Sequence, residues 1–249
     1  MVMRTSKIVM MVLGLAWAGM LASCDRAVKY GSKVVEWPAD DQVLVVNNGG
    51  VFKPDYVAIY PRTNPEGVAN VVDGFEVTFY LPAIQAYSEN SYAEKTMPKV
   101  AYSIGEEFQF KFVLGGLCFP FLGNGLRVTK VVLTSANIDE ALWGVCTTIV
   151  SDTGKDPTST VTNEEPGKNT LTLDCGEGVV LNDTIATYFG FAVPTGTLES
   201  GFTLEVYDGN IKTLERSTTD LGSGFIPRGT MRKMEGSIEI VSPDNTVSP

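Results

Sequence analysis

In this chain apolar residues commonly recur at every second position, and the spacing of an amphipathic helix is almost absent. Successive side chains of a strand point to opposite faces, so a period of two marks a half-buried strand. FEVTFYL (75–81) puts Phe75, Val77, Phe79 and Leu81 on one face. EFQFKFV (107–113) sets Phe108, Phe110 and Phe112 against Glu107, Gln109, Lys111 and Val113. Further runs rich in β-branched and aromatic residues are VLVV (43–46), YVAIY (56–60), KVAYS (99–103), LRVTKVVLT (126–134), LWGVCTTIV (142–150), LTLDC (171–175), TYFGFAV (187–193), FTLEVY (202–207) and IKTLERS (211–217). Between the last two, Asp208-Gly209-Asn210 is a hairpin turn signal. Many short strands at this spacing predict an all-β chain of sandwich type. Helix is confined to a turn or two near 137–142 and 86–94, and the polar stretch 151–169 reads as an exposed loop.

The front end is of another kind. MVMRTSK carries Arg4 and Lys7 and no acid, an apolar core follows from Ile8 to Leu21, and then come Ala22, Ser23 and Cys24. A charged segment, an apolar core and small residues before a cut describe a secretory signal peptide. The core falls short of the about 20 apolar residues that a membrane span needs. Leu21-Ala22-Ser23-Cys24 also resembles the bacterial lipobox. That resemblance implies removal of residues 1–23, a diacylglyceryl group on the Cys24 sulfur and an acyl chain of palmitate type on the new amino terminus. An ordinary signal peptide whose cleavage zone contains a cysteine is the alternative. Each buried methylene adds about 0.8 kcal/mol, so several lipid chains hold a protein durably at a membrane. The expected mature chain starts at Cys24, outside the cytoplasm.

Composition narrows the chemistry. Removing residues 1–23 from the 249 leaves 226 and takes Arg4 and Lys7 away, so 17 basic residues face 29 acidic ones and the net charge goes from −10 to −12. Nucleic acid and anionic membrane surfaces would repel such a chain. There is no histidine, which removes Ser-His-Asp and Cys-His catalysis and most zinc sites. No run has the alternating acids of a calcium loop, and no glycine-rich phosphate cradle precedes a helix. No metal and no cofactor are expected. Asp139-Glu140 is the one acidic doublet with apolar flanks, and it reads as a solvated turn rather than a catalytic pair. The chain is expected not to be an enzyme. Besides Cys24 there are Cys118, Cys146 and Cys175, each in an apolar setting. They read as buried free thiols, with a Cys146–Cys175 bridge as the second reading.

The softest boundary lies near SIGEEF (103–108), which divides the chain into a signal peptide (1–23), a tether (24–33), an N-terminal sandwich (34–104), a C-terminal sandwich (105–241) and a tail (242–249). A single continuous sandwich is the structural alternative. From Glu107 the elements follow in a particular order: EFQFKFVLGGLC, LRVTKVVLTS, LWG, a polar loop, LTLDCGEGVVLNDT, YFGFAVP, GFTLEVYDGN and IPRGTMRKM. Gly176 and Gly178 offer a bulge after a strand, Pro194 ends one strand, and Gly201 precedes another. Arg228, Arg232 and Lys233 read as charges that deter unwanted pairing along an exposed strand.

This order, over about residues 107–234 and joined to the lipobox, resembles the fimbrillin-like lipoproteins of Bacteroides-type bacteria, relatives of their major and minor fimbrial subunits. The resemblance implies two tandem transthyretin-like β-sandwiches, delivered to the outer membrane as a lipid-anchored, surface-exposed precursor. It further implies a trypsin-like cut near the front of the N-terminal domain, after which a strand from another subunit fills the groove left by the first strand. Here Arg26, Lys29 and Lys33 are the candidate cut sites, with Lys33 nearest to the first apolar run. In the tail, Ser237-Ile238-Glu239-Ile240-Val241 alternates, so Ile238 and Ile240 share a face. It serves either as a donor strand for a neighbour or as the last strand of its own sandwich. The expected role is a structural, anchor or accessory subunit of fimbriae or pili that contributes to adhesion. Its partners would be other fimbrial subunits, the outer membrane through the lipid, and a host or glycan surface. The alternative is a surface glycan-binding lipoprotein of a polysaccharide-uptake system, with Trp37, Trp143, Tyr87, Tyr92 and Tyr102 as its aromatic platform.

Overall fold

The computed structural model describes residues 27–29, 44–47, 56–61, 63–64, 67–73, 75–93, 95–104, 107–151, 155–162 and 167–240. The first strands in chain order are β1 (Ala27–Lys29), β2 (Leu44–Asn47), β3 (Tyr56–Tyr60), β4 (Thr63–Asn64), β5 (Gly67–Val68), β6 (Asn70–Asp73) and β7 (Glu76–Leu81). Then come β8 (Ile84–Ala86), β9 (Lys99–Ser103), β10 (Glu107–Gln109), β11 (Lys111–Phe112), β12 (Gly115–Leu122), β13 (Arg127–Ser135) and β14 (Gly144–Ile149). The last are β15 (Thr158–Val161), β16 (Thr170–Val180), β17 (Thr187–Val193), β18 (Phe202–Asp208), β19 (Ile211–Ser217), β20 (Met231–Lys233) and β21 (Ile238–Glu239). The protein is all-β: among the described residues there is no helix, and the two stretches expected to hold a helical turn show turns, bends and, at Ala86, the end of β8.

Backbone contacts gather the described residues into two compact units. The first draws on Met1–Tyr80, Pro98–Val113 and Cys146–Thr160, the second on Leu81–Met97, Leu114–Val145 and Val161–Pro249. The chain passes between them repeatedly, so the units differ from the consecutive segments 34–104 and 105–241 expected from the sequence. The reason is that strands pair irrespective of sequence distance. β10 and β11 follow the proposed boundary yet pair with β1 and β9, while β8 precedes it yet pairs with β16.

Apart from strand ends, the first unit holds the sheets β11-β9-β3-β2 and β15-β14-β7-β6 and the pairs β1-β10 and β4-β5. β7 keeps the expected alternation, with Val77, Phe79 and Leu81 buried. The run at 107–113 does not. Phe108 and Phe110 are buried with Ala58 and Ala101 against Tyr56 and Tyr60, but the strand breaks at Phe110 and the parity slips. Val113 is then buried in place of Phe112, whose half-buried ring lies 4.7 Å from the Lys99 ammonium.

The second unit is a β-sandwich. One sheet runs β17-β12-β20, with β21 also on β12, and the other runs β19-β18-β13-β16-β8. Alternate residues of both sheets meet in one core: Leu117, Phe119 and Phe121 from β12, Phe189 and Phe191 from β17, Val131 and Leu133 from β13, Leu171 and Leu173 from β16, and Leu204 and Val206 from β18. The phenylalanines pack in offset and edge geometries, with Phe121 4.9 Å from Phe189 and Phe119 edge-on to Phe191 at 6.1 Å. Between Asp174 and Val179 on β16, four residues stand against Thr129 alone on β13. This is the bulge that Gly176 and Gly178 suggested. Both have positive φ, and a side chain on Gly178 would strike Arg127 Cγ at 2.4 Å. β19 is the exposed hairpin partner expected behind Asp208-Gly209-Asn210. The segment 151–169 is not wholly a loop, since β15 lies within it and Lys168 is buried.

Candidate functional site

A shallow concavity of the described surface is bounded by Glu199, Ser200, Thr219, Asp220, Gly222 and Ser223, and Glu199 there accepts the Gly224 amide. Among the described residues no three His, Cys, Asp or Glu side chains gather as a metal site. Asp139-Glu140 sits in a turn, where the Asp139 amide donates to Asn137 Oδ1 and Glu140 Oε2 accepts the Leu198 amide at 2.9 Å. Cys118, Cys146 and Cys175 are free and buried, as their apolar settings suggested, and form no bridge. Burial pushes the Cys118 thiol up to about 11 and those of Cys146 and Cys175 to about 12. At neutral pH they stay protonated and poorly nucleophilic.

Among the described residues, the first and last strands each cover a strand edge. At the C-terminal end, β20 and β21 both lie parallel to β12, with Gly116 opposite Met231 and Phe121 opposite Ile238. The Gly229, Met234 and Ile240 amides donate to the carbonyls of Leu114, Cys118 and Leu122 at 2.9 Å each. Phe225, Ile226 and Ile240 belong to the core, and Met234 and Ile238 pack on it. Of the two roles weighed for Ile238 and Ile240, the structure displays the internal one: they complete the sandwich of their own chain. Arg232 donates to the Phe225 carbonyl at 2.9 Å with its guanidinium 4.3 Å from that ring, and Lys233 lies 4.0 Å from the Tyr188 ring and bonds its hydroxyl. These cations are therefore anchored along the outer strand rather than gathered as a binding patch.

At the other end, β1 is the only partner of β10 within their two-stranded sheet. The register sets Ala27, Val28 and Lys29 opposite Gln109, Phe108 and Glu107. Lys29 thus closes β1, whereas Cys24, Arg26 and Lys33 lie outside the described residues, as does Trp37. Phe108 is buried, 6.1 Å from Tyr56 and 6.4 Å from Phe110, while Glu107 and Gln109 are exposed.

Two further edges are guarded in different ways. Gln85 of β8 is buried, and its side-chain amide both donates to the Ala192 carbonyl at 2.8 Å and accepts the Ala192 amide at 2.9 Å. It thereby imitates a strand against β17. A lone glutamine between exposed neighbours gives no such signal in the sequence. β19 instead carries Lys212, Glu215 and Arg216, and its pairing with β18 is bulged at Val206/Tyr207. Lys212 bonds Glu205 at 2.8 Å and also Glu215.

Each described aromatic residue weighed for a glycan platform packs within its own unit. Trp143, Tyr87, Tyr92 and Tyr102 are all half-buried. Tyr87 lies 5.0 Å from Phe189, and Tyr102 lies 5.6 Å from Phe75. Tyr92 is packed so close to β12 that a side chain on Gly116 would strike its ring at 2.4 Å.

No protein-family model matches the chain, and no curated protein sequence matches it. Among solved structures, a Bacteroides ovatus protein provisionally described as a cell adhesion protein is similar over 77% of this chain, with 14% identity and a TM-score of 0.40. The match takes in 66% of that protein, so this chain spans just under two thirds of its length.

Proposed function

We propose that the chain is a non-enzymatic surface lipoprotein, an anchor or accessory subunit of a fimbrium that joins its neighbours by strand addition. The observation that carries this reading is the pairing of β1 with β10. Only two residues separate Cys24 from β1, so the strand next to the lipid attachment point is also the cover of a strand edge. Arg26, Lys29 and Lys33 bracket that strand. Uncut, the protein stays tethered at the outer membrane as an anchor. Cut after Lys29 or Lys33, it leaves the lipid and presents the bare edge of β10 above Phe108. Main-chain hydrogen bonds along such an edge give affinity to an incoming strand, and alternate side chains give specificity. The absence of histidine and the three protonated, buried thiols favour a role carried by backbone edges over one carried by reactive side chains.

Limited trypsin digestion of the purified mature protein tests the reading. A front fragment ending at Lys29 or Lys33 should leave first, with the remainder folded, and the cut protein should then take up an extended peptide that the uncut protein refuses. A front segment that outlasts the rest of the chain, or a cut protein that takes up no strand, would remove this function.

A further inference from the structure

We infer that the β10 edge selects its donor strand by charge, taking a strand that sets a cationic residue opposite Glu107 and a β-branched aliphatic one opposite Phe108. This rests on the proposed displacement of β1. Residues directly opposite in an antiparallel pair share a face, so each β10 position prescribes the chemistry of its counterpart. The present occupant meets that prescription, with Lys29 opposite Glu107 and Val28 opposite Phe108. The surroundings of Phe108 are Ala58, Ala101, Phe110, Tyr56 and Tyr60, so the residue facing it has to be apolar. Glu107 lies on the other, exposed face, where a like charge directly opposite is repelled.

The tail of a second copy fails this requirement. If Ile238 took the place of Val28, the following Glu239 would stand opposite Glu107. If Ile240 took that place, it would first have to leave its own core, where it is 2% exposed, and Glu239 would still sit opposite Gln109, diagonal to Glu107. The partner is therefore a different subunit, one that supplies a basic strand of the order small, Val or Ile, Lys or Arg.

The test uses the full mature chain cut with trypsin, with the protease then inhibited and the front fragments removed. Three labelled peptides are titrated by fluorescence anisotropy: AVKYGSK from the front segment, GSIEIVS from the tail, and the tail peptide with Glu239→Lys. The front peptide should rebind. The Glu239→Lys peptide should bind about fivefold more tightly than the unaltered tail, the scale set by one cross-strand charge pair. Glu107→Gln, an exposed change, should abolish that difference. Equal binding of the two tail peptides, or a difference that survives Glu107→Gln, overturns the charge rule. Self-association of the cut chain that GSIEIVS blocks overturns the assignment to a different subunit. If AVKYGSK itself does not rebind, β10 is no acceptor, and both the proposed function and this inference fall.

Discussion

The two ends of the chain do the same thing at very different strengths. Each lays a short strand on an edge, yet the C-terminal cover of β12 is rooted in the core by Phe225, Ile226 and Ile240, whereas the N-terminal cover of β10 is three residues long. For β1, a few hydrogen bonds worth about 1 kcal/mol each are set against an ordering cost of about 1–2 kcal/mol per residue. On backbone terms alone the balance of β1 lies near zero or below, whereas the C-terminal cover adds core side chains to its pairing.

The sharpest way to break this comparison is to unroot the C-terminal cover. Phe225→Ala should cost about 3–5 kcal/mol and Ile240→Ala about 2–5 kcal/mol, read from urea unfolding midpoints. A loss under 1 kcal/mol at Ile240 would mean the tail is not held. Thiol labelling gives a second reading of the same cover, because Cys118 lies on β12 opposite Lys233. With its thiol pushed up to about 11, it should resist labelling at pH 8 in the native protein and react once urea unfolds it.

Gln85→Leu comes next. It leaves the Ala192 amide and carbonyl without their partner, at about 1–3 kcal/mol for each buried group left unpaired. It also uncovers the edge of β17, so the variant should self-associate in sedimentation velocity where the parent does not. Smaller again is the effect of removing β1 with trypsin: the thermal unfolding midpoint should barely move. A large drop would show that β1 is structural and end the contrast between the two covers.

The smallest expected change concerns the charged edge of β19. The Lys212 ammonium that bonds Glu205 holds its carboxyl below the ordinary 4.5. A carboxyl lowered on folding stabilises the protein fully above 4.5 and loses that contribution as pH falls through the lowered value. Glu205→Gln should therefore lower stability slightly at neutral pH, leave it almost unchanged well below the lowered value, and so flatten the acid limb of the stability profile. An identical acid limb would show that the ion pair is idle.

The sequence alone determined the all-β class, the hairpin at Asp208-Gly209-Asn210, the alternation of β7 and β18, and the glycine bulge of β16. Each is written in the period of two or in a residue that tolerates positive φ, and both act over a few neighbouring positions. Tertiary structure decided what those signals could not reach. Phe112 yielded its buried place to Val113 because the strand broke at Phe110. Ile238 and Ile240 read equally well as donor or final strand until β12 provided an edge beside them. Gln85 became a strand mimic only because folding brought β17 alongside it. Periodicity states which faces of a strand are apolar; which edge lies next to it is a matter of residues a hundred positions away, and only the folded chain brings them together.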